Sequence, residues 1–170
     1  MRRSQARGKA TASPYGKSLI ADSMYKKGTV FFASAGLLAQ LYQHQRPVPE
    51  HVDYVFLHLL CQGIELVLKG LLLHRDFDKY HPLLKGKGGF GHNLYELAEE
   101  ASSVYGMNTM RKPLADELHS MNNFYSKHRL RYGTIVDIFI DPSSIARRRV
   151  IRRFRATIKL AERGRPGRDR

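Results

Sequence analysis

Apolar residues recur at three- and four-residue steps through most of this 170-residue chain, the period of one face of an α-helix. From about Lys17 to His44, Leu19, Ile20, Met24, Val30, Phe31, Ala35, Leu38 and Leu41 or Tyr42 keep that step and predict a first helix. Gly28 and Gly36 inside it each cost about 1 kcal/mol relative to Ala, so they are read as points of close helix contact rather than as breaks. Arg46-Pro47-Val48-Pro49 ends the element, because two prolines cannot continue it. A second helix runs from near Glu50 to about Arg75. Its apolar residues, among them Val52, Phe56, Leu60, Ile64, Val67, Leu68 and Leu72, cover most of its circumference. A helix apolar nearly all round belongs at the centre of a bundle. It leaves one polar stripe, His58, Gln62, Glu65 and Lys69, at steps of four, three and four. Two readings stand for this stripe: a solvent-facing seam, or the polar wall of a cleft or dimer interface. Glu65 and Lys69, acid first, have the favourable i,i+4 order.

A Gly/Lys-rich loop spans Asp76 to Gly91. A third helix covers roughly Asn93 to Tyr105, with Asn93 as N-cap and Gly106 as C-cap. A fourth covers about Pro113 to Lys127, with Leu114, Leu118, Met121, Phe124 and Tyr125 on one side. Ile135 to Ile140 reads locally as a strand; with no second strand to pair with, an extended piece or short edge is expected near 134–140. Asp141-Pro142-Ser143-Ser144 opens a last helix from about Ser144 to Arg163, with Ile151, Phe154, Ile158 and Ala161 buried and the arginines on the other face. Residues 1–16 read as a flexible basic arm and 164–170 as a flexible basic tail. The whole is one all-α domain, a bundle of about five helices over residues 17–163.

Charge changes this picture at the ends. The chain holds 29 Lys+Arg against 15 Asp+Glu, a formal net charge of +14. Residues 1–17 hold five of the bases and no acid, and residues 147–170 hold eleven bases against Glu162 and Asp169. The middle is neutral. Cationic extremities bind polyanions through counterion release without reading sequence, which makes Arg147, Arg148, Arg149, Arg152, Arg153 and Arg155 candidate nucleic-acid contacts. The plainer reading is a solvated terminus.

Several function classes drop out. The single Cys61 excludes an intramolecular disulfide framework and a Cys-rich zinc site, and fits a reducing, cytoplasmic setting. His and acidic residues show no metal-ligand spacing, so no metal and no cofactor is expected. The segment GKGGFGH (residues 86–92) matches neither the Walker nor the dinucleotide fingerprint. The run Val55 to Leu73 is interrupted by His58, Gln62, Glu65 and Lys69; ionised groups at mid-span cost about 2.5–3.5 kcal/mol each, so no membrane span is expected. No apolar segment follows Met1-Arg2-Arg3 closely enough for a secretory signal.

Four features together resemble the HEPN superfamily, all-helical nucleotide-binding domains of higher eukaryotes and prokaryotes. They are the small-residue opening helix, the central Gln62-Gly63-Ile64-Glu65-Leu66-Val67-Leu68-Lys69-Gly70-Leu71-Leu72, the loop ending Gly91-His92-Asn93-Leu94, and a later helix ending His128-Arg129-Leu130-Arg131-Tyr132. The resemblance covers about residues 18–160. It implies a four- or five-helix bundle, a homodimer, and for many members metal-independent cleavage of RNA by an Arg-x4–6-His motif. His128 matches the motif histidine, but Asn122, six positions before it, stands where the arginine belongs, and Asn lacks the fixed cationic fork. Arg46 with His51 and Arg75 with His81 fit the spacing by count alone, away from the family's site. Binding of RNA or nucleotides with absent or weak catalysis is therefore expected. The alternatives are an endoribonuclease in which Arg129 or Arg131 assists His128, and a non-catalytic partner subunit of a toxin–antitoxin or nucleotidyltransferase system. Tyr132 either stacks on a base or belongs to the core; with Asn122, His58, Glu65 and Lys69 it outlines a candidate cleft.

Overall fold

The computed structural model describes residues 13–43, 52–84, 88–126 and 147–163. Every regular element among them is helical: α1 (Pro14–Gln43), α2 (Val52–Arg75), α3 (Phe77–Tyr80), a 3-10 turn (His81–Leu84), α4 (Leu94–Val104), α5 (Lys112–Tyr125) and α6 (Arg148–Arg163). The all-α bundle expected from the apolar periodicity is what the chain forms. The extended segment expected near 134–140 lies outside the described residues, as do His128, Arg129, Arg131 and Tyr132.

α2 is the axis. Leu57, Leu60, Cys61, Ile64, Val67, Leu68 and Leu72 are 0–2% exposed, and α1, α4, α5 and α6 supply the surrounding apolar faces. α2 is long and apolar enough to cross a bilayer by length and composition, yet most of it is buried inside the fold. Its apolar circumference is met by protein on several sides, as a bundle centre requires.

α1 and α2 pack antiparallel with almost nothing between their backbones. A Cβ built on Gly63 would sit 2.6 Å from the Phe32 amide nitrogen, and one on Gly70 would sit 2.7 Å from that of Tyr25. A Cβ on Gly28 would come within 2.5 Å of the Val67 nitrogen. Gly28 is thus the close contact that its place in α1 suggests, whereas nothing lies within 4 Å of a Cβ at Gly36. The two glycines look alike in sequence, but only one faces α2.

The Gly/Lys-rich stretch after α2 contains more structure than its composition suggests. The Asp76 carboxylate accepts from the Lys79 amide and caps α3. Tyr80 is buried, and its hydroxyl donates to Glu100 at 2.6 Å. Further on, Asn93 caps α4 by accepting from the Tyr95 and Glu96 amides. Gly106 adopts φ 59° just past its end, the left-handed conformation that glycine enters without steric cost.

α6 turns its expected stripe inward and buries Val150 and Thr157 beside it. Val150, Phe154 and Thr157 are its most buried positions, while Ile151, Ile158 and Ala161 are partly buried.

Candidate functional site

The polar stripe of α2 is interior in its second half, while His58 and Gln62 are half-buried. Glu65 is 3% and Lys69 6% exposed, so the solvent-facing reading of these two residues is replaced by a covered one. The cover comes from the loop before α4 and from the last turn of α5. Lys69 Nζ donates to Glu65 Oε1 at 2.6 Å, to the Gly91 carbonyl at 2.6 Å and to the Leu84 carbonyl at 3.4 Å. Three donors thus meet three acceptors. Tyr125 Oη donates to Glu65 Oε2 at 2.6 Å and lies 2.8 Å from the Gln62 side-chain amide.

His92 completes the network, with Nδ1 2.9 Å from Glu65 Oε2. An ionised carboxylate only accepts, so the proton on this contact belongs to the imidazole. The carboxylate therefore fixes the His92 tautomer and ring plane. Tyr125 packs against both neighbouring imidazoles, edge-on to His92 at 5.8 Å and tilted to His58 at 6.2 Å. Within this cluster His92 reaches solvent most, its side chain 38% exposed against 4% for Glu65 and 8% for Lys69.

Burial alone would raise the Glu65 carboxyl pKa. Burial is the largest single influence, but the Lys69 charge and the hydrogen bonds from Lys69, Tyr125 and His92 together outweigh it, and the carboxyl ends below its usual value. Burial, reinforced by the nearby Glu65 charge, pushes the Cys61 thiol far up, which leaves it an inert core residue. Among the described residues no group of three or more His, Cys, Asp or Glu gathers to hold a metal ion.

Asn122 has a local task. Its Oδ1 accepts from the Leu94 amide at 2.8 Å, joining the end of α5 to the start of α4. Of the motif matches by count, Arg46 and His51 lie outside the described residues. Arg75 ends α2, and His81 stacks on Phe77 at 4.8 Å.

The second candidate is α6. Its arginines, equivalent in sequence, divide in space. Arg147 donates to Asp53 at 2.9 Å and lies over the Phe56 ring at 4.8 Å. Arg149 donates to Glu117 Oε1 at 2.7 Å. The other oxygen of Glu117 accepts from the Arg149 and Val150 amides at 2.8 and 3.2 Å. A buried α5 carboxylate thus caps α6, where the helix dipole favours negative charge. Arg153 points to the Asn108 carbonyl at 3.4 Å. Arg148, Arg152, Arg155 and Lys159 are exposed and pair with no acid among the described residues.

No family model, curated protein or solved structure matches this chain. Its own chemistry presents two features: a carboxylate–imidazole network centred on Glu65 in the middle of α2, and a cationic row on α6.

Sequence reasoning missed Glu117. The signal was present, since an acid at 117 falls within the Leu114–Leu118–Met121 apolar face, where a charge survives only with partners. Replacing Glu117 by Ala is expected to cost about 0.5–2 kcal/mol, the usual range for a lost cap. Urea denaturation checks this, and an unchanged midpoint would remove the capping role.

Proposed function

We propose that this protein binds RNA or a similar polyanionic strand, with α6 as the principal contact surface and the basic chain ends adding affinity. The observation that carries this reading is the row Arg148, Arg152, Arg155 and Lys159, exposed on one helix without acidic partners among the described residues. Four like charges held along a helix repel one another, and a polyanion relieves that repulsion while releasing its own counterions. The HEPN resemblance agrees with this reading and adds a homodimer, which light scattering tests directly.

Fluorescence anisotropy of a labelled single-stranded RNA, titrated at rising KCl, tests the proposal. Four phosphate contacts predict a slope of log affinity against log salt of about −3 from α6 alone, at about 0.7 per contact. Affinity that does not fall with salt would overturn the reading.

One observation favours a second reading, an endoribonuclease. Glu65 holds His92 in a fixed tautomer beside Tyr125, and Tyr125 stands three residues before His128. RNA incubated with the native protein, His92→Ala and His128→Ala distinguishes the two readings. Cleavage lost in either variant supports the enzyme, and RNA left intact by the native protein excludes it.

A further inference from the structure

We infer that α6 reads the sugar–phosphate backbone alone, through Arg148, Arg152, Arg155 and Lys159, and does not tell RNA from DNA. This rests on the polyanion reading above and names the ligand feature that the helix recognises. The four residues follow one another at steps of four, three and four, so they share one helix face, over about 16 Å at 1.5 Å rise per residue. Among the described side chains of α6, the other exposed ones are Arg149, Ala156 and Leu160, and the half-buried Glu162 stands three residues beyond Lys159. This surface offers no Asn or Gln to pair with an adenine edge. It offers no aromatic ring for base stacking either, because Phe154 is only 4% exposed. The Thr157 hydroxyl, a candidate partner for a ribose 2′-hydroxyl, is 7% exposed as a residue and donates to the Arg153 carbonyl at 3.1 Å. The outward surface is therefore a row of positive charge flanked by Arg149, Ala156 and Leu160.

The body of the protein decides which arginines belong to that row. Asp53 and Glu117 hold Arg147 and Arg149, and Arg153 turns to Asn108. Of the six arginines between 147 and 155, three serve the ligand and three dock the helix. A terminus acting only as diffuse charge would weight all six equally, so single substitutions separate the two pictures.

The full chain is titrated with a labelled single-stranded RNA and with DNA of the same sequence and length, across a KCl series. The proteins compared are the native chain, Arg152→Gln, Arg155→Gln, Arg149→Gln and Arg153→Gln, each checked for native helicity by circular dichroism. The RNA and DNA dissociation constants are expected to agree within about threefold. Arg152→Gln and Arg155→Gln should each flatten the salt slope by about 0.7, while Arg149→Gln and Arg153→Gln leave it unchanged. RNA preferred by about tenfold or more, or Arg149→Gln flattening the slope as much as Arg152→Gln, would overturn the inference while leaving polyanion binding intact. Failure of both nucleic acids to bind would overturn the polyanion reading and this inference with it.

Discussion

Lys69→Met is expected to lower the unfolding free energy by about 3–5 kcal/mol, the cost of stranding one member of a buried ion pair. Glu65 and Lys69 lie 2.6 Å apart with side chains 4% and 8% exposed, so water cannot replace the lost partner. The Gly91 carbonyl, which accepts from Lys69 at 2.6 Å, loses its donor in the same step. The pH dependence should change sign. In the native protein the folded-state Glu65 carboxyl sits below its usual 4.5. Its contribution is therefore complete above that unfolded-state value and is lost as pH falls through the lowered folded-state value. Without the Lys69 charge and hydrogen bond, burial is no longer outweighed and raises the carboxyl pKa. The variant then recovers stability relative to the native protein as pH falls towards the usual carboxylate range. Urea denaturation of both proteins from about pH 7 to about pH 4 measures the difference. A deficit that stays constant over that range would show that Glu65 does not carry the effect. The double variant Glu65→Leu with Lys69→Met should regain part of the loss, because both charges go together. It remains below the native protein, since the part-buried Gly91 carbonyl still lacks its Lys69 donor.

Gly63→Ala and Gly70→Ala should each destabilise the fold, although Ala is the better helix former by about 1 kcal/mol. The added methyl would lie 2.6 Å from the Phe32 nitrogen in one case and 2.7 Å from the Tyr25 nitrogen in the other. These are backbone atoms, which cannot rotate away, so α1 must shift. Overpacking of this kind costs about 1–3 kcal/mol, occasionally more. Where it exceeds the propensity gain, Tm falls by about 2–4 °C per kcal/mol in a chain of this size. Gly36→Ala is the control with the opposite sign. Nothing lies within 4 Å of its Cβ position, so it should gain about 0.5–1 kcal/mol. Calorimetric scans of the three variants decide the matter, and a Gly63→Ala protein as stable as Gly36→Ala would refute the close backbone contact.

How much of this was readable from residues alone depends on how far each partner lies along the chain. The helices were readable because their signals are local. The apolar circumference of α2, the Asn93 cap and the Gly106 terminus each sit within a few residues of what they specify. The burial of Glu65 and Lys69 was not. An i,i+4 pair has the same spacing on a surface as in a core, and the groups that cover it, His92 and Tyr125, lie 27 and 60 residues from Glu65. The division among the α6 arginines was hidden in the same way, because Asp53 and Glu117 are 94 and 32 residues from the arginines they hold. α3 was obscured by composition. Glycine and lysine around it suggest an open loop, while its anchor, Tyr80, depends on Glu100. Gly28 and Gly36 show the limit most plainly: one helix and one residue type give opposite roles, set only by which face meets α2.

The contacts between α1 and α2 also fix their alignment. Tyr25 and Phe32 are seven residues apart, as are Gly70 and Gly63, and the two bulky residues rest on the two bare positions. Sliding the pair by one heptad would still bring Tyr25 to Gly63, but Phe32 would then face Phe56. The hairpin therefore accepts a single register, and the two glycines act as its key.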